Sequence, residues 1–366
     1  MTLENGKPTG IKEIAAALGV SIGTVDRALH GRPGINAMTR AKVLKMAQTL
    51  GYQPNVAARH LKLNRKLRFS VHLPREIASF FEAIRDGIVE AASPFRSTIE
   101  LRFRAYPRLG DNDVELFQEA LADETSGIIL APGHPADLRP WIRRAARGRI
   151  PVVCVATDAP GTERLCAVSS DASASGAIAA ELLTRFVQKP GAVIIATGDL
   201  QATDHAQKVT AFSKCLATIA SPLQLTATLE THDDPKQAFR MMKEVLAKLA
   251  RPKANKLRAV YVSTANSLPI LKALADAGLK SEVTVITTDL FPDLAPLIRD
   301  GSVAATIYQR PKAQGRLAFQ ALHQFVVEGK CPPAQHRLPP HVVLQSNLDL
   351  FLEMLPKEDV RYDDWR

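Results

Sequence analysis

The chain has 366 residues, 46% of them hydrophobic and 23% charged, which is typical of globular proteins and not of disordered or fibrous ones. A chain of this length is expected to fold as two or three domains. Its longest apolar runs, such as PVVCVA and GAVIIA, are far shorter than the ~20 residues that a membrane helix needs, and the N-terminus MTLENGKPTG has no secretory-signal pattern. We therefore expect neither export nor membrane insertion, and we expect a cytoplasmic, nucleoid-associated location.

The four cysteines are scattered and include no C-x-x-C pair. This pattern argues against a disulfide framework and against a cysteine-based zinc site. We expect each cysteine to be a reduced, buried residue, and we predict no cofactor and no metal site.

The net charge of +10 is concentrated at the start of the chain. Residues 1–67 carry eleven basic and three acidic side chains, a net charge of +8, which leaves +2 for the other 299 residues. A small basic segment on a nearly neutral remainder indicates contact with a polyanion, although a solvated basic surface would give the same count.

Three short helices are predicted in the first 50 residues. Apolar residues recur at helical spacing in IKEIAAAL (11–18), and Gly19 suits a left-handed stop. Ser21 is a good N-cap for a second helix over 22–29, and a third helix is predicted over 36–50, with Val43, Leu44, Ala47 and Leu50 facing inward. Two short helices joined by a glycine turn and braced by a third form a helix-turn-helix, which presents the start of its second helix to the DNA major groove.

A fourth, very short helix is predicted from Pro54 to Lys62, followed by a basic run to Arg68. Isolated helices below ~12 residues are marginal in water. We therefore expect this segment to form only when something holds it, such as a second copy of itself and a DNA groove.

The stretch from IKEIAAALGVSIGTVDRALHG to PNVAARHLK resembles, without a gap, the DNA-binding head and hinge of the lactose-repressor (LacI) family. The resemblance implies that Arg27 reads guanine and that Leu61 wedges into the minor groove beside its symmetry mate. One departure is Asp26, at a position commonly occupied by serine; it could accept from cytosine or pair with a neighbouring arginine. The DNA-binding residues implied by the resemblance are Ser21, Ile22, Gly23, Thr24, Asp26, Arg27, Asn55, Ala58 and Leu61.

From Leu67 onward, apolar strands alternate with amphipathic helices, which is typical of doubly wound parallel sheets. Eleven strands are too many for one sheet, so we expect an α/β body of two lobes with a cleft. The predicted strands are 67–73, 99–105, 127–131, 151–156, 165–170, 191–197, 223–229, 258–263, 283–288, 303–309 and 341–346.

This body resembles the type-I periplasmic sugar-binding fold that the same family uses as an effector domain. The resemblance implies three chain crossings between the lobes, near 187–191, 301–309 and 331–341. It gives the following boundaries: head 1–52, hinge 53–67, N-terminal lobe 68–187 and 310–330, C-terminal lobe 191–300 and 341–356, and tail 357–366.

The resemblance also implies effector contacts in the cleft. Two adjacent phenylalanines would stack on a sugar ring, while carboxylates and amides at strand ends would bind hydroxyl groups, each of which both donates and accepts hydrogen bonds. Ala206 and Ala131 depart from the arginine and asparagine that many relatives carry nearby. As alternatives, the phenylalanines could be core residues and Asp171 an N-cap. The implied contacts are Phe80, Phe81, Asp158, Asp171, His205, Lys208, Asn266, Asp289 and Gln309.

The sequence carries none of the common catalytic signatures, among them G-x-G-x-x-G, the P-loop, H-E-x-x-H and G-x-S-x-G, so we expect no enzyme. We interpret the chain as a homodimeric transcriptional regulator, and more specifically a repressor. It would bind a palindromic double-stranded operator, and its DNA affinity would depend on a sugar or polyol. The alternatives are a regulator that answers to a nucleobase or a protein partner, and a solute-binding or carbohydrate-active protein whose head does not act on DNA.

Overall fold

The computed structural model describes residues 10–29, 33–50, 66–249 and 255–355. They form two compact units, one containing the N-terminal helices (the head) and one containing both sheets (the body). The head helices are α1 (Ile11–Leu18), α2 (Ile22–Leu29) and α3 (Ala37–Thr49). The predicted hinge helix, with Asn55, Ala58 and Leu61, lies outside the described residues, as does the tail from 357 onward.

The core of the head is formed by one apolar face from each helix. Its buried members include Ile14, Val25 and Val43, and Gly19 ends α1 in the left-handed region with φ 61°. The prediction that Leu44 and Leu50 face inward is wrong, because their exposed fractions are 45% and 37%. Val43 and Ala47, one turn apart, already supply the buried face of α3, and the adjacent position 44 is rotated by ~100° away from it.

The first sheet of the body is surrounded by helices drawn from most of the first half of the chain. Its elements begin with β1 (Leu67–Pro74), α4 (Ala78–Ala92), β2 (Ile99–Tyr106), α5 (Asp113–Ala122), β3 (Gly127–Leu130), α6 (Pro135–Arg147), β4 (Val152–Val155) and β5 (Cys166–Ser170). The next helix, α7 (Ala172–Phe186), packs on the second sheet.

The second sheet follows in the same alternating pattern, and the chain then returns to each sheet once. The elements are β6 (Gly191–Thr197), α8 (Thr203–Thr218), β7 (Leu223–Glu230), α9 (Pro235–Leu249), β8 (Leu257–Val262), α10 (Leu268–Asp276), β9 (Thr284–Thr288), α11 (Ala295–Arg299), β10 (Ala305–Tyr308), α12 (Pro311–Glu328), β11 (Gln335–Leu338), β12 (His341–Val343) and α13 (Leu348–Leu352).

Each sheet has six strands, in the orders β11-β5-β4-β3-β1-β2 and β12-β10-β9-β8-β6-β7. All pairs are parallel except β10 with β12, which is antiparallel. The eleven predicted strands are confirmed, whereas β11 was not predicted. Its sequence, Gln-His-Arg-Leu, is mostly polar because the strand lies at the sheet edge and buries only Leu338.

The chain passes between the two lobes three times, after β5, after β10 and after β11. The first crossing precedes α7, whose residues Ala179 and Leu183 are buried in the core of the second sheet, so it does not lie at the expected 187–191. The segments 301–309 and 331–341, which were expected to be crossings, also contain the strands β10 and β11. Both crossings occur at the far end of the expected segment. None of the helices among the described residues is long and apolar enough to span a membrane.

Two glycines set the close approach of α4 and α12. A Cβ atom at Gly87 would lie 2.0 Å from the backbone oxygen of Lys312, and one at Gly315 would lie 2.0 Å from that of Ile84. The two helix backbones therefore touch, and only glycine fits at either position.

The cysteine prediction is correct for two of the four residues. Cys154 and Cys166 are buried in β4 and β5, but Cys215 is half-buried and Cys331 is exposed. Burial was inferred from residue type, and it fails for Cys331 because that residue lies in the connection between α12 and β11. None of the four forms a disulfide bond.

Candidate functional site

The start of α2 forms an exposed surface on the head. Ser21 caps the helix, because its Oγ accepts a hydrogen bond from the Thr24 amide at 3.1 Å. Ile22 is 50% exposed, and Gly23 and Arg27 are also exposed, one helical turn apart on the same side. Asp26 is half-buried and has an interaction partner of its own. An exposed apolar side chain, a glycine and an arginine therefore lie together on a surface that can enter a DNA groove.

In the body, the carboxyl ends of the two sheets face each other across what we call the interlobe cleft. In each sheet the strand order reverses direction once, between β1 and β3 and between β6 and β8. Ligands of open α/β sheets bind at the carboxyl ends of the strands beside such a reversal. The topology therefore places the candidate site in the loops after β1, β3, β6 and β8.

The loops after β3 and β6 are in direct contact. His134 Nε2 lies 2.9 Å from Asp199 Oδ2 and donates a hydrogen bond to it across the cleft. Burial alone would raise the pKa of Asp199, but the hydrogen bonds from His134 and from the Gln201 amide hold it below its usual value. Asp199 is therefore a carboxylate at neutral pH.

Two further contacts join the lobes. Arg108, after β2, lies 2.8 Å from Glu76 within its own lobe and 3.5 Å from Asp234 of the other lobe. The Thr203 hydroxyl, at the start of α8, donates to the backbone oxygen of Asp158 at 2.8 Å. The described structure thus has the two lobes in contact through polar groups.

Asp233 organises the polar groups of the second lobe. Its Oδ1 accepts from the Thr264 hydroxyl at 2.5 Å, and its backbone oxygen accepts from Asn266 Nδ2 at 3.0 Å. His205 Nε2 lies 3.7 Å from Asp233 Oδ2. Two of the predicted effector contacts, Asn266 and His205, are thus brought together by an aspartate that the sequence did not reveal.

Asp289 and Gln309 form a second pair of predicted residues in direct contact. Both oxygens of Asp289 accept from Gln309, one from its amide at 2.9 Å and the other from Nε2 at 2.6 Å. Burial raises the pKa of Asp289 to about 6, against the opposing effect of these hydrogen bonds and of Lys208.

Lys208 is a buried member of an ion pair. Its Nζ lies 3.0 Å from Asp204 Oδ2 and 3.3 Å from the backbone oxygen of Ser263, and the residue is 1% exposed. Burial opposes its charge, but Asp204, helped by Tyr261 and Asp289, leaves the pKa of Lys208 raised. The cation is therefore already paired, and direct contact with an effector stays a prediction.

The remaining predicted residues are placed in the first lobe. Asp158 forms an ion pair with Arg164 and also accepts from Gln335 Nε2 at 3.1 Å. Asp171 is the N-cap of α7, accepting from the Ala174 amide at 2.8 Å, which is the alternative considered for it. Phe80 and Phe81, in the first turn of α4, are buried and pack edge to face with ring centroids 5.0 Å apart.

Several polar groups near the cleft were missed by the sequence analysis, namely Glu76, Arg108, His134, Asp199 and Asp233. All of them follow a strand within a few residues, so the strand ends were the signal that could have found them. The buried atoms that have no hydrogen-bond partner among the described residues include Glu76 Oε2, Thr157 Oγ1 and His205 Nδ1. Such atoms can bind a polar ligand at no cost in existing hydrogen bonds.

Family models and relatives agree with this division of the chain. Residues 69–330 match the periplasmic binding protein domain, and residues 10–55 match the bacterial regulatory proteins of the lacI family. Catabolite control protein A of Priestia megaterium is 24% identical over 90% of this chain and 97% of that protein. The HTH-type transcriptional regulator AglR of Rhizobium meliloti is 26% identical over 89% of this chain and 90% of that protein.

Solved structures show the same fold for the body. A solute-binding protein of Burkholderia graminis in complex with D-arabinose has a TM-score of 0.71 at 21% identity, covering 78% of this chain and 97% of that one. One of Agrobacterium vitis, bound with α-D-tagatopyranose, has a TM-score of 0.71 at 20% identity, covering 80% of this chain and 100% of that one. The chain therefore belongs to the periplasmic-binding-protein domain family, and it is a lacI-family DNA-binding regulator with a body like that of sugar-binding proteins.

Proposed function

We propose that this chain is a homodimeric transcriptional repressor whose affinity for a two-fold symmetric operator is controlled by a sugar or polyol in the interlobe cleft. The observation that carries the DNA-binding half is the exposed start of α2, where Ile22, Gly23 and Arg27 lie within the segment that matches the lacI family.

The head would insert α2 into the major groove. Ser21 and Thr24 would contact phosphates, and the Arg27 guanidinium would read a guanine. Asn55, Ala58 and Leu61 lie outside the described residues, and their contacts with the operator remain part of this proposal. Two copies on successive half-sites, with paired hinges between them, require an operator with two-fold symmetry.

The cleft supports a polar effector. Glu76, Thr157 and His205 each offer a buried atom without a partner, and the edge-to-face pair Phe80 and Phe81 stands at the start of α4. The bound D-arabinose and tagatose of the structural neighbours favour a sugar over other polar molecules. Control of DNA affinity would follow if the effector binds the two arrangements of the lobes with different affinity.

The DNA-binding proposal is tested by selecting operators from a random duplex pool and then titrating the best one. Arg27→Ala should weaken binding to the selected operator by ~1–3 kcal/mol, or about 5- to 150-fold, and leave binding to unrelated duplex nearly unchanged. Fluorescence anisotropy at two salt concentrations measures both affinities.

Arg40→Ala, on the exposed side of α3, is the matched control. This variant should change both affinities by the same factor, because a phosphate contact carries no sequence information. Equal losses for Arg27→Ala on the two duplexes, or a selected operator without two-fold symmetry, would contradict the proposal.

A further inference from the structure

Four metal-ligating side chains meet at one edge of the interlobe cleft. Asp199, Glu230 and His232 each offer a ligand atom within 4.8 Å of the other two. His134 of the first lobe approaches the same cluster, with its Nε2 2.9 Å from Asp199 Oδ2. The sequence analysis predicted no metal site, because these residues follow no spacing motif and come together only through the pairing of strands.

The sheet explains why the cluster forms. β6 and β7 are neighbouring parallel strands, with Thr197 paired to Glu230 at their carboxyl ends. Asp199 and His232 each follow two residues after this pair, so their side chains emerge at the same edge. His134 follows β3 in the opposite lobe.

The distances suit a small cation. Asp199 Oδ2 lies 2.9 Å from His134 Nε2 and 3.6 Å from His232 Nδ1. Zinc bonds of ~2.0–2.2 Å in a tetrahedral site place neighbouring ligand atoms roughly 3.3–3.6 Å apart. These two distances are within a few tenths of an ångström of that spacing, and Glu230 has a ligand atom within 4.8 Å of those of Asp199 and His232.

The carboxylates are oriented by other groups, as metal ligands usually are. Asp199 Oδ1 accepts from the Gln201 amide at 2.8 Å, and Glu230 Oε1 accepts from the Leu200 amide at 2.7 Å. Each carboxylate is thus fixed through one oxygen. The other oxygen of Asp199 accepts from His134 Nε2, and an ion bound between them would replace this hydrogen bond and its proton. The Asp137 carboxylate lies 3.7 Å from His134 Nδ1, where it can hold the ring with Nε2 toward the cluster. The His232 side chain is 46% exposed, which leaves a path for an ion.

We propose that Asp199, Glu230 and His232 bind a divalent transition-metal ion, with Zn²⁺ the best match, and that His134 completes the coordination from the other lobe. Imidazole and carboxylate together favour Zn²⁺ over Mg²⁺ or Ca²⁺, which prefer oxygen ligands alone. Because its ligands come from both lobes, the ion stabilises the arrangement in which the lobes touch.

The test is calorimetric titration of the chelator-treated full chain with ZnCl₂, without DNA and without sugar. We expect one Zn²⁺ per chain, with binding lost in His232→Gln and in the near-isosteric Asp199→Asn. His134→Gln should weaken binding by about 10- to 100-fold, because three ligands remain on the second lobe. A melting curve of each apo variant checks that the fold is retained.

His336→Gln is the matched control, since His336 lies in β11, away from the cluster, and this variant should bind Zn²⁺ as the unmodified chain does. No saturable binding, or equal binding by His232→Gln and Asp199→Asn, would overturn the site. Equal affinity of His134→Gln and the unmodified chain would overturn the bridge between lobes. None of these results depends on DNA or sugar binding, so the metal site and the proposed function can fail separately.

Discussion

At the scale of single residues, Asp289 is a buried carboxyl group whose charge is stabilised by hydrogen bonds from Gln309. Asp289 follows β9 with φ 65°, a left-handed conformation that is costly for a non-glycine residue. This turn lets both of its oxygens accept hydrogen bonds from Gln309. A carboxylate with so little water around it depends on these two donors for its charge.

The raised pKa of Asp289 predicts a pH dependence of stability. Its value is about 6 in the folded chain against an ordinary value of 3.8, so the folded chain binds this proton more tightly than the unfolded one. The carboxyl therefore destabilises the fold at pH 7, and this cost is relieved as the pH falls toward 4. At ~1.4 kcal/mol per pKa unit, we expect it to contribute about 1 kcal/mol of added stability at pH 5.

Urea unfolding at pH 5 and pH 7 measures this contribution. The gain on acidification should be smaller in Asp289→Asn than in the unmodified chain, and Asp293→Asn, at an exposed position, should leave it unchanged. An equal gain in all three chains would show that Asp289 does not titrate in this range.

The sequence predicted several of these residues singly, but not their partners. Asp289 and Gln309 could be proposed because each follows a strand, whereas their mutual contact depends on the turn after β9. Lys208 was expected in the cleft, yet it is neutralised by Asp204 one helical turn earlier. That spacing was visible in the sequence, but the burial that makes the pair close was not.

At the scale of elements, the crossing of α4 and α12 depends on two glycines without side chains. Gly87 and Gly315 each leave room for the backbone of the opposite helix. The crossing packs α12 against the first sheet, where Phe319 contacts Phe69 of β1 with ring centroids 6.0 Å apart. The helix α12 thus completes the core of the first lobe, although it follows most of the second lobe in the sequence.

Gly87→Ala should be strongly destabilising, because its Cβ would lie 2.0 Å from a backbone oxygen that can move only if the helices separate. Overpacking of this kind costs ~1–3 kcal/mol, which corresponds to a loss of roughly 2–6 °C in Tm at this size. A thermal melt followed by circular dichroism measures the change.

Gly148→Ala provides the comparison. Gly148 ends α6 with φ −76°, and the nearest atom to an added Cβ would be at an ordinary 3.4 Å. This variant should melt at the same temperature or slightly higher, since alanine has less freedom in the unfolded chain. Similar losses in the two variants would mean that the helix crossing is not the cause.

Helices and strands could be predicted wherever their burial leaves a clear pattern of apolar residues in the sequence. The central strands, such as β3, β4 and β6, are buried along their whole length and read as continuous apolar runs. β11 was not predicted, because an edge strand with one buried residue does not differ in composition from a loop. The helices of the head were predicted to within one residue, since each has one apolar face.

At the scale of the whole molecule, the two lobes of the body are separate sheets joined by three crossings and by polar contacts across the cleft. The contacts of His134 with Asp199 and of Thr203 with Asp158 involve few atoms. Such contacts can be exchanged for a ligand or for water, so the relative position of the lobes can respond to what the cleft holds.

Thermal unfolding against a panel of pentoses, hexoses, polyols, sugar phosphates and purines tests the proposed effector class. A ligand at ~100 times its Kd should add ~2.7 kcal/mol, a shift of a few degrees in Tm. Asp289→Asn should reduce the shift and Asp293→Asn should not. A shift with purines alone, or with no member of the panel, would contradict the sugar proposal.

The fold and its division were predictable because strand and helix periodicities repeat along the chain and the head resembles a known family. The cleft was less predictable, because its chemistry depends on which strand ends meet. His134, Glu76 and Asp199 are far apart in sequence, and only the order of strands in each sheet brings their loops to the same opening.

Because the chain returns to both sheets late in the sequence, the two lobes can complete their folding only late in synthesis. The first sheet lacks its edge strand until Leu338 has left the ribosome, and the second lacks its edge strand until Val343 has done so. Until then β5 and β10 each expose a row of unpaired backbone groups, which are sites for pairing with other chains. Neither lobe can be finished before these late strands emerge, so the two complete their folding almost together.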